Sequence, residues 1–242
     1  MAIPKPAAEG ASARSNLTMR VFSSLVLAPL ALVGAYLGGL FFVVFWVVAA
    51  SIVLWEWVRL AMQAKLRGFA LVDWLAAGIA YAAILLFAPL ILRRDPALGF
   101  AAILFLFAVV WATDIAAYFA GRALGGPKLW PAVSPKKTWS GAAGGTLGGV
   151  AAGVVTVKLL GVSVAPMLIL VAFLLSVTAQ AGDLIESAVK RHFGAKDAGS
   201  IIPGHGGLMD RLDGFLTAAA AAAMVGLLRA GLESPARGLL VW

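Results

Sequence analysis

The sequence predicts an all-α bundle of transmembrane helices, and three observations support this fold class. Hydrophobic residues make up 62% of the 242 residues, whereas charged residues make up only 12%. Soluble domains are typically about 45–50% apolar, so this composition disfavours a water-soluble fold. Apolar runs of about 20 residues, the length that crosses a bilayer, recur from Arg20 to the C-terminus.

The apolar runs predict about seven spans, within a range of six to nine, with the N-terminus in the cytoplasm. A polar, basic segment at 1–19 precedes a single membrane-embedded domain over residues 20–242, whose motif-bearing part covers about 100–214. The first apolar run lacks a convincing cleavage site, so we interpret it as a retained helix. The stretch from Phe69 to Gly121 allows three shorter helices as an alternative to two. The predicted spans are 20–39, 40–62, 69–92, 97–120, 139–160, 164–182 and 214–232.

The distribution of basic residues supports this orientation. Cytoplasmic segments of membrane proteins carry an excess of lysine and arginine. With the N-terminus inside, 14 of the 19 basic residues face the cytoplasm, and only Arg93, Arg94, Lys158, Arg229 and Arg237 face outward. The formal net charge of +8 is thereby explained in part by topology, and nucleic-acid binding is disfavoured.

The composition also limits the chemistry. The chain has no cysteine, which excludes disulfides, thiolate metal sites and a cysteine nucleophile. No Walker A sequence and no strand-linked G-x-G-x-x-G sequence occurs, so a nucleotide must be held in another way. The segment 141–153 is rich in glycine and alanine, for which close helix packing is favoured over a ligand role.

Polar residues gather in two segments, and the first extends from Asp114 to Thr138. Asp114, Tyr118 and Arg122 are spaced four residues apart, so they share one face of a helix. A charged residue at membrane depth predicts a functional site, although a structural pairing of Asp114 with Arg122 is the alternative. The basic loop after this helix offers ammonium groups and hydroxyls that suit phosphate oxygens, or else only anchors the chain at the membrane surface. Its polar residues are Ser134, Lys136, Lys137 and Thr138.

The second segment extends from Gln180 to Asp213. Asp183, Glu186, Ser187 and Lys190 have helical spacing and share a face, although an exposed helix with a simple Glu186–Lys190 pair is the alternative. A glycine-rich loop follows, in which unobstructed backbone N–H groups allow close approach to a phosphate. Carboxylates without cysteine favour Mg²⁺ over zinc. The loop and the helix start after it contribute His205, Gly206, Gly207, Asp210, Arg211 and Asp213.

These segments resemble the motifs of the phosphatidate cytidylyltransferase, or CDP-diacylglycerol synthase, family. The run from Ser187 to Asp213 is similar to the signature of that family over about 27 residues of ordered, rare polar types. Three upstream runs also resemble family motifs, namely 114–125, 134–141 and 180–187. Residues before about 100 resemble the family only in being apolar.

The resemblance implies a reaction and a set of site residues. A phosphatidate oxygen would attack the α-phosphorus of CTP and expel pyrophosphate. In the family, the residues that match Asp183 and Asp210 hold a divalent metal, expected to be Mg²⁺, with Lys190 nearby; these three are the predicted catalytic residues. The predicted substrate-binding residues are Ser134, Lys136, Lys137, Thr138, Ser187, Arg191, His205, Gly206, Gly207 and Arg211; further candidates are Asp114, Tyr118, Arg122, Glu186 and Asp213.

The resemblance also implies a homodimer in the inner membrane of a bacterium, with the active site facing the cytoplasm. The sequence does not decide whether a monovalent cation assists Mg²⁺. A transporter with ion-coupling carboxylates is the main alternative function, although polar clusters on one membrane face disfavour it. A lipid kinase or a CDP-alcohol phosphotransferase is the alternative among Mg²⁺-dependent enzymes.

The topology can be tested by cysteine scanning, because the chain has no cysteine of its own. We expect Lys136→Cys to react with a membrane-impermeant thiol reagent only when the reagent reaches the cytoplasmic face. Labelling of Lys136→Cys from the periplasmic side of intact cells would contradict the predicted orientation.

Overall fold

The protein is a bundle of α-helices with one short β-ribbon. The computed structural model describes residues 26–64, 66–199, 201 and 206–242. The helices are α1 (Val26–Leu37), α2 (Gly39–Gln63), α3 (Gly68–Arg93), α4 (Gly99–Leu124), α5 (Trp139–Leu159), α6 (Pro166–His192), α7 (Met209–Ala230) and α8 (Pro235–Leu240). The ribbon pairs β1 (Lys128–Trp130) with β2 (Ser134–Thr138) in antiparallel fashion.

The predicted class of a helical membrane bundle is confirmed. Helices α2 to α7 are each long and apolar enough to cross a membrane, which makes this a multi-pass membrane protein. The first predicted span, 20–39, corresponds to the shorter helix α1, and its residues 20–25 lie outside the described part of the chain. The stretch from Phe69 to Gly121 forms parts of two helices, α3 and α4.

Two helices extend further into polar sequence than the spans predicted. Helix α6 continues to His192 and α7 begins at Met209, whereas the predicted spans end at 182 and begin at 214. Hydropathy reports the apolar run alone, but a helix continues wherever its backbone hydrogen bonds do. Most acidic and basic residues of the second polar segment therefore lie on the helices, whereas Lys196 and Asp197 lie in the loop between α6 and α7.

The segment predicted as a basic loop is strand β2. Lys128 pairs with Thr138 and Trp130 pairs with Ser134, with an irregularity between the two pairs. Pro135 lacks a backbone N–H, and proline is tolerated in strands that have an unpaired edge. Both strands of a two-stranded ribbon have such an edge, so the proline and the ribbon are compatible.

The glycine-rich helix α5 packs closely against α4, as the packing interpretation of residues 141–153 predicts. A Cβ added at Gly145 would lie 2.9 Å from Cβ of Ala117, and one added at Gly149 would lie 2.2 Å from Oγ1 of Thr113. Thr113 also shares a buried hydrogen bond of 2.7 Å with Ser176 on α6. The absence of side chains on one face of α5 therefore brings α4, α5 and α6 together.

Helices α6 and α7 approach each other closely at Gly182. A Cβ at this position would lie 2.1 Å from Oγ1 of Thr217 and 2.9 Å from the carbonyl oxygen of Asp213. Thr217 in turn donates a hydrogen bond of 2.9 Å to the carbonyl oxygen of Thr178. Asp183 and Asp213, which adjoin this contact on their two helices, are thereby held close together.

Candidate active site

The predicted functional residues gather at one end of the bundle. The C-terminal ends of α4 and α6 meet the N-terminal ends of α5 and α7 there, and the β-ribbon joins α4 to α5 at the same end. This is the end of the bundle at which both polar segments of the sequence lie.

Three carboxylates from two helices converge at this end. Asp183 and Glu186 on α6 and Asp213 on α7 each offer an oxygen, and these oxygens lie within 4.8 Å of one another. Glu186 is buried, and Asp183 and Asp213 are partly exposed. Like charges at this separation repel, so the cluster requires cations close by.

Two lysines supply positive charge to this cluster. Lys137 on β2 forms an ion pair with Asp183. The buried Lys190 ammonium lies 2.6 Å from Oε2 of Glu186 and 2.6 Å from Oδ1 of Asp210. Lys190 is therefore the centre of a carboxylate–ammonium–carboxylate triad, and the Glu186–Lys190 pair is a buried contact rather than the exposed pair considered from the sequence.

Asp210 bonds to residues on both sides of the glycine-rich loop. Its carboxylate accepts backbone hydrogen bonds from Ala198, at 3.0 Å to Oδ2, and from Gly207, at 2.7 Å. Gly206 has a φ of 87°, and a Cβ there would lie 2.8 Å from Oδ2 of Asp210. The glycine is needed both for the left-handed backbone and for the close approach of the carboxylate.

The metal role predicted for Asp210 stays a prediction. The acidic group that the described residues form around Asp183 consists of Glu186 and Asp213, which the sequence marked as further candidates. Both oxygens of Asp210 already accept hydrogen bonds, from Lys190 and from two backbone amides.

The β-ribbon carries the other predicted phosphate-binding groups. Lys136 is exposed, and Ser134 is partly exposed. Thr138 is buried, and its hydroxyl oxygen accepts a hydrogen bond of 3.1 Å from the backbone N–H of Gly141, so it caps α5. Arg191 on α6 donates to the carbonyl oxygen of Val133 at 3.4 Å, which ties the ribbon to the end of α6.

Of the three residues predicted to share a face of α4, only Asp114 interacts with the acidic cluster. Asp114 interacts electrostatically with Asp183 and Lys137. Arg122 donates a hydrogen bond of 3.0 Å to the hydroxyl of Tyr118, one helical turn earlier. Arg122 thus bonds Tyr118 rather than Asp114, the partner considered from the sequence.

The remaining predicted residues are placed as follows. Ser187 is partly exposed on α6, one residue after Glu186, and Arg211 is exposed in the first turn of α7. Gly207 donates to Asp210 at the start of that turn. His205 lies outside the described residues.

Sequence reasoning missed Glu56 on α2. Its side chain is fully buried and contacts the start of α7, where it accepts backbone hydrogen bonds from Leu208 and Met209. A lone carboxylate within an apolar helix was the available signal, by the same rule that singled out Asp114. Tyr81 on α3 was also missed; its buried hydroxyl has no hydrogen-bond partner among the described residues.

The donor set of the acidic cluster fits a hard divalent cation. All three groups offer carboxylate oxygens, the ligands preferred by Mg²⁺. Within the described part of the chain, Oε1 of Glu186 is buried without a hydrogen-bond partner. A buried, unsatisfied carboxylate oxygen is costly, and a cation at the cluster would satisfy it.

The Lys190 triad leads to a prediction about stability. Lys190→Met leaves Glu186 and Asp210 without their shared cation at a buried position. Breaking a buried ion pair in this way costs roughly 3–5 kcal/mol, so we expect a clear fall in the thermal unfolding temperature in detergent. Lys196→Met removes an exposed lysine and serves as the matched control. Equal unfolding temperatures for the two variants would contradict a stabilising role for the triad.

Comparison of the sequence with known proteins identifies a family. A family model described as "Cytidylyltransferase family" matches residues 67–228. The chain is 39% identical to a phosphatidate cytidylyltransferase of Brucella suis biovar 1 (strain 1330), over 91% of this chain and 97% of the relative. It is 40% identical to the protein of that name from Brucella abortus biovar 1 (strain 9-941), over 85% and 92%. A phosphatidate cytidylyltransferase of Staphylococcus saprophyticus is 47% identical over 47% of this chain and 44% of the relative. These matches show that the chain belongs to the cytidylyltransferase family.

Proposed function

We propose that the protein is a CTP:phosphatidate cytidylyltransferase, which makes CDP-diacylglycerol and pyrophosphate for phospholipid synthesis. The observation that carries this proposal is the convergence of Asp183, Glu186 and Asp213 beside Lys137, at the end of the bundle that bears the family motifs. The names of relatives that match almost the whole chain support the choice of substrates.

The chemistry requires two phosphate-bearing substrates to approach each other. A non-bridging oxygen of the phosphatidate phosphate attacks the α-phosphorus of CTP, and the bond from that phosphorus to the bridging oxygen of pyrophosphate breaks. The phosphatidate phosphate needs no general base, because a phosphate monoester has a second pKa of about 6 and is largely ionised at neutral pH. The demand on the protein is therefore to neutralise and orient negative charge.

We assign this neutralisation chiefly to the β-ribbon, the C-terminal end of α6 and the start of α7. Lys136 is exposed and Lys137 is partly exposed, so both are accessible to a phosphate group. Ser134 and Ser187 are partly exposed hydroxyl donors, and Arg191 and Arg211 are exposed guanidinium groups on α6 and α7. His205 and its neighbouring glycines are proposed to shape the loop around the triphosphate. Lys190 acts on the site through Glu186 and Asp210, both of which it contacts.

We propose that Asp183, Glu186 and Asp213 hold Mg²⁺, with Asp210 as the further ligand that the resemblance implies. When bound, the cation would offset the negative charge on the oxygens of the transferred cytidylyl group and of the leaving pyrophosphate. Lys137 forms an ion pair with Asp183. We propose that its ammonium group leaves this carboxylate and binds a substrate phosphate when the substrates are present. The described geometry favours Asp213 and Glu186 over Asp210 as partners of Asp183.

We further propose that the protein is a homodimer of the bacterial inner membrane with its active site in the cytoplasm. The excess of lysine and arginine at the site end supports this orientation. The orientation also gives the site access to CTP, which is a cytoplasmic nucleotide. The homodimer rests on family resemblance alone. A transporter is not favoured, because the acidic cluster lies toward one end of α6 and α7 and not at the middle of the spans.

The function can be tested with purified protein, labelled CTP and phosphatidate in mixed micelles. We expect label from the cytidine in the extracted lipid, together with one pyrophosphate for each lipid formed. A lipid kinase would release a nucleoside diphosphate, and a CDP-alcohol phosphotransferase would release CMP. Either of these products without pyrophosphate would contradict the proposal.

The metal proposal predicts which carboxylates share a site. Asp183→Asn and Asp213→Asn keep side-chain size but remove an anionic ligand, so each is expected to lower kcat at least 100-fold at ordinary Mg²⁺. The double variant should be little worse than either single variant, because a site already lost cannot be lost again. Asp210→Asn is measured alongside to decide its predicted role.

Exposed Asp73 on α3 provides the matched Asp→Asn control, which should retain wild-type turnover. Near-normal turnover of Asp183→Asn at ordinary Mg²⁺ would exclude a central role for this carboxylate.

A further inference from the structure

Helix α7 begins without a side-chain cap of its own. The residue at its N-cap position is Leu208, which has no side-chain oxygen. The first N–H groups of a helix have no partner within the helix, and they carry the positive end of the helix dipole. They need an acceptor from elsewhere, above all at a buried helix start.

Glu56 on α2 supplies that acceptor from 152 residues earlier in the chain. Its Oε1 accepts from the N–H of Leu208 at 3.0 Å, and its Oε2 accepts from the N–H of Met209 at 2.7 Å. The side chain is fully buried. Both carboxylate oxygens thus accept backbone hydrogen bonds at the positive end of α7.

The two ends of the glycine-rich loop are shaped to admit this carboxylate. A Cβ at Gly199 would lie 2.7 Å from Oε1 of Glu56, and a Cβ at Gly207 would lie 2.6 Å from the same atom. These glycines stand on either side of the loop that contains His205. Any side chain at either position would displace the Glu56 carboxylate.

Glu56 and Asp210 together hold the loop at its base. Asp210 accepts from Ala198 and Gly207, whereas Glu56 accepts from Leu208 and Met209. The first turns of α7, which follow at once, carry Asp210, Arg211 and Asp213. A shift at the start of α7 would therefore move Asp213 and the adjoining Gly206 and Gly207 at the same time.

We propose that Glu56 is a positioning residue for the reaction, a role that rests on the proposed function. Its carboxylate caps α7 from α2 and sets the place of Gly199, Gly207 and Asp213 without touching the substrates. The family match begins at residue 67, so Glu56 lies outside the segment that carries the recognised motifs.

The test compares Glu56→Gln with wild-type protein in the same detergent. Glutamine keeps the length of the side chain, but its NH₂ group cannot accept a backbone hydrogen bond. We expect amide hydrogen exchange of residues 206–212 to rise at least tenfold. We also expect the half-saturating Mg²⁺ concentration and the KM for CTP to rise at least fivefold. Glu233→Gln makes the same change at an exposed turn after α7 and should leave all three measurements unchanged.

Gly199→Ala provides the second variant, because it displaces the carboxylate while keeping its charge. It should raise the same three quantities, and it keeps the proposal testable if Glu56→Gln does not fold. A purely structural role predicts a lower unfolding temperature, with normal KM and Mg²⁺ dependence in the folded fraction. That result, or unchanged exchange at residues 206–212, would overturn the proposal.

Failure of the proposed function gives a different result. Wild-type protein would then transfer no cytidylyl group to lipid, whereas amide exchange at residues 206–212 would still report whether Glu56 holds the start of α7.

Discussion

The close crossing of α6 and α7 at Gly182 is the contact on which the rest of the site depends. No side chain larger than hydrogen fits between Gly182 and the backbone of Asp213, so Asp183 and Asp213 are brought within ligand distance of each other. This proximity has an electrostatic cost, because three carboxylates gather where water is limited. The two lysines on the cluster offset that cost, with Lys190 shared between Glu186 and Asp210 and Lys137 on Asp183. Packing and charge balance are therefore parts of one arrangement.

Glycines also allow the close packing that holds the β-ribbon in place. Gly121 on α4 and Gly141 on α5 face each other, and a Cβ on either would lie within 3.1 Å of the Thr138 hydroxyl oxygen. That hydroxyl caps α5 and so fixes the last residue of β2. Lys136 and Lys137 then project from a short ribbon whose end is anchored in the helix bundle. A flexible lysine-rich loop would lose more conformational entropy on binding a phosphate than this anchored strand does.

The described ends of the loop after α6, at Gly199 and Gly207, show how glycines are held in a defined position. Glycine adopts the left-handed backbone conformation without steric cost, but it loses more conformational entropy than other residues when it is ordered. Two buried carboxylates from different helices, Glu56 and Asp210, compensate by accepting backbone N–H groups at the ends of this loop. Phosphate-binding loops need free backbone donors near the ligand, and here the donors at the base are already satisfied by protein.

The sequence by itself determined the membrane class, the long helices and the candidates for the site residues, because apolar run length and rare polar residue types are local properties of the chain. It also marked Glu186 as a candidate through its helical spacing, and Asp213 as a carboxylate at the start of the last predicted span. Only the tertiary structure decided which candidates meet. Asp210 and Asp213 are three residues apart on α7, yet one accepts from Lys190 and backbone amides while the other adjoins Asp183. Glu56 joins residues 208 and 209 across 152 positions, a pairing that no local pattern predicts, because it depends on how α2 packs beside α7.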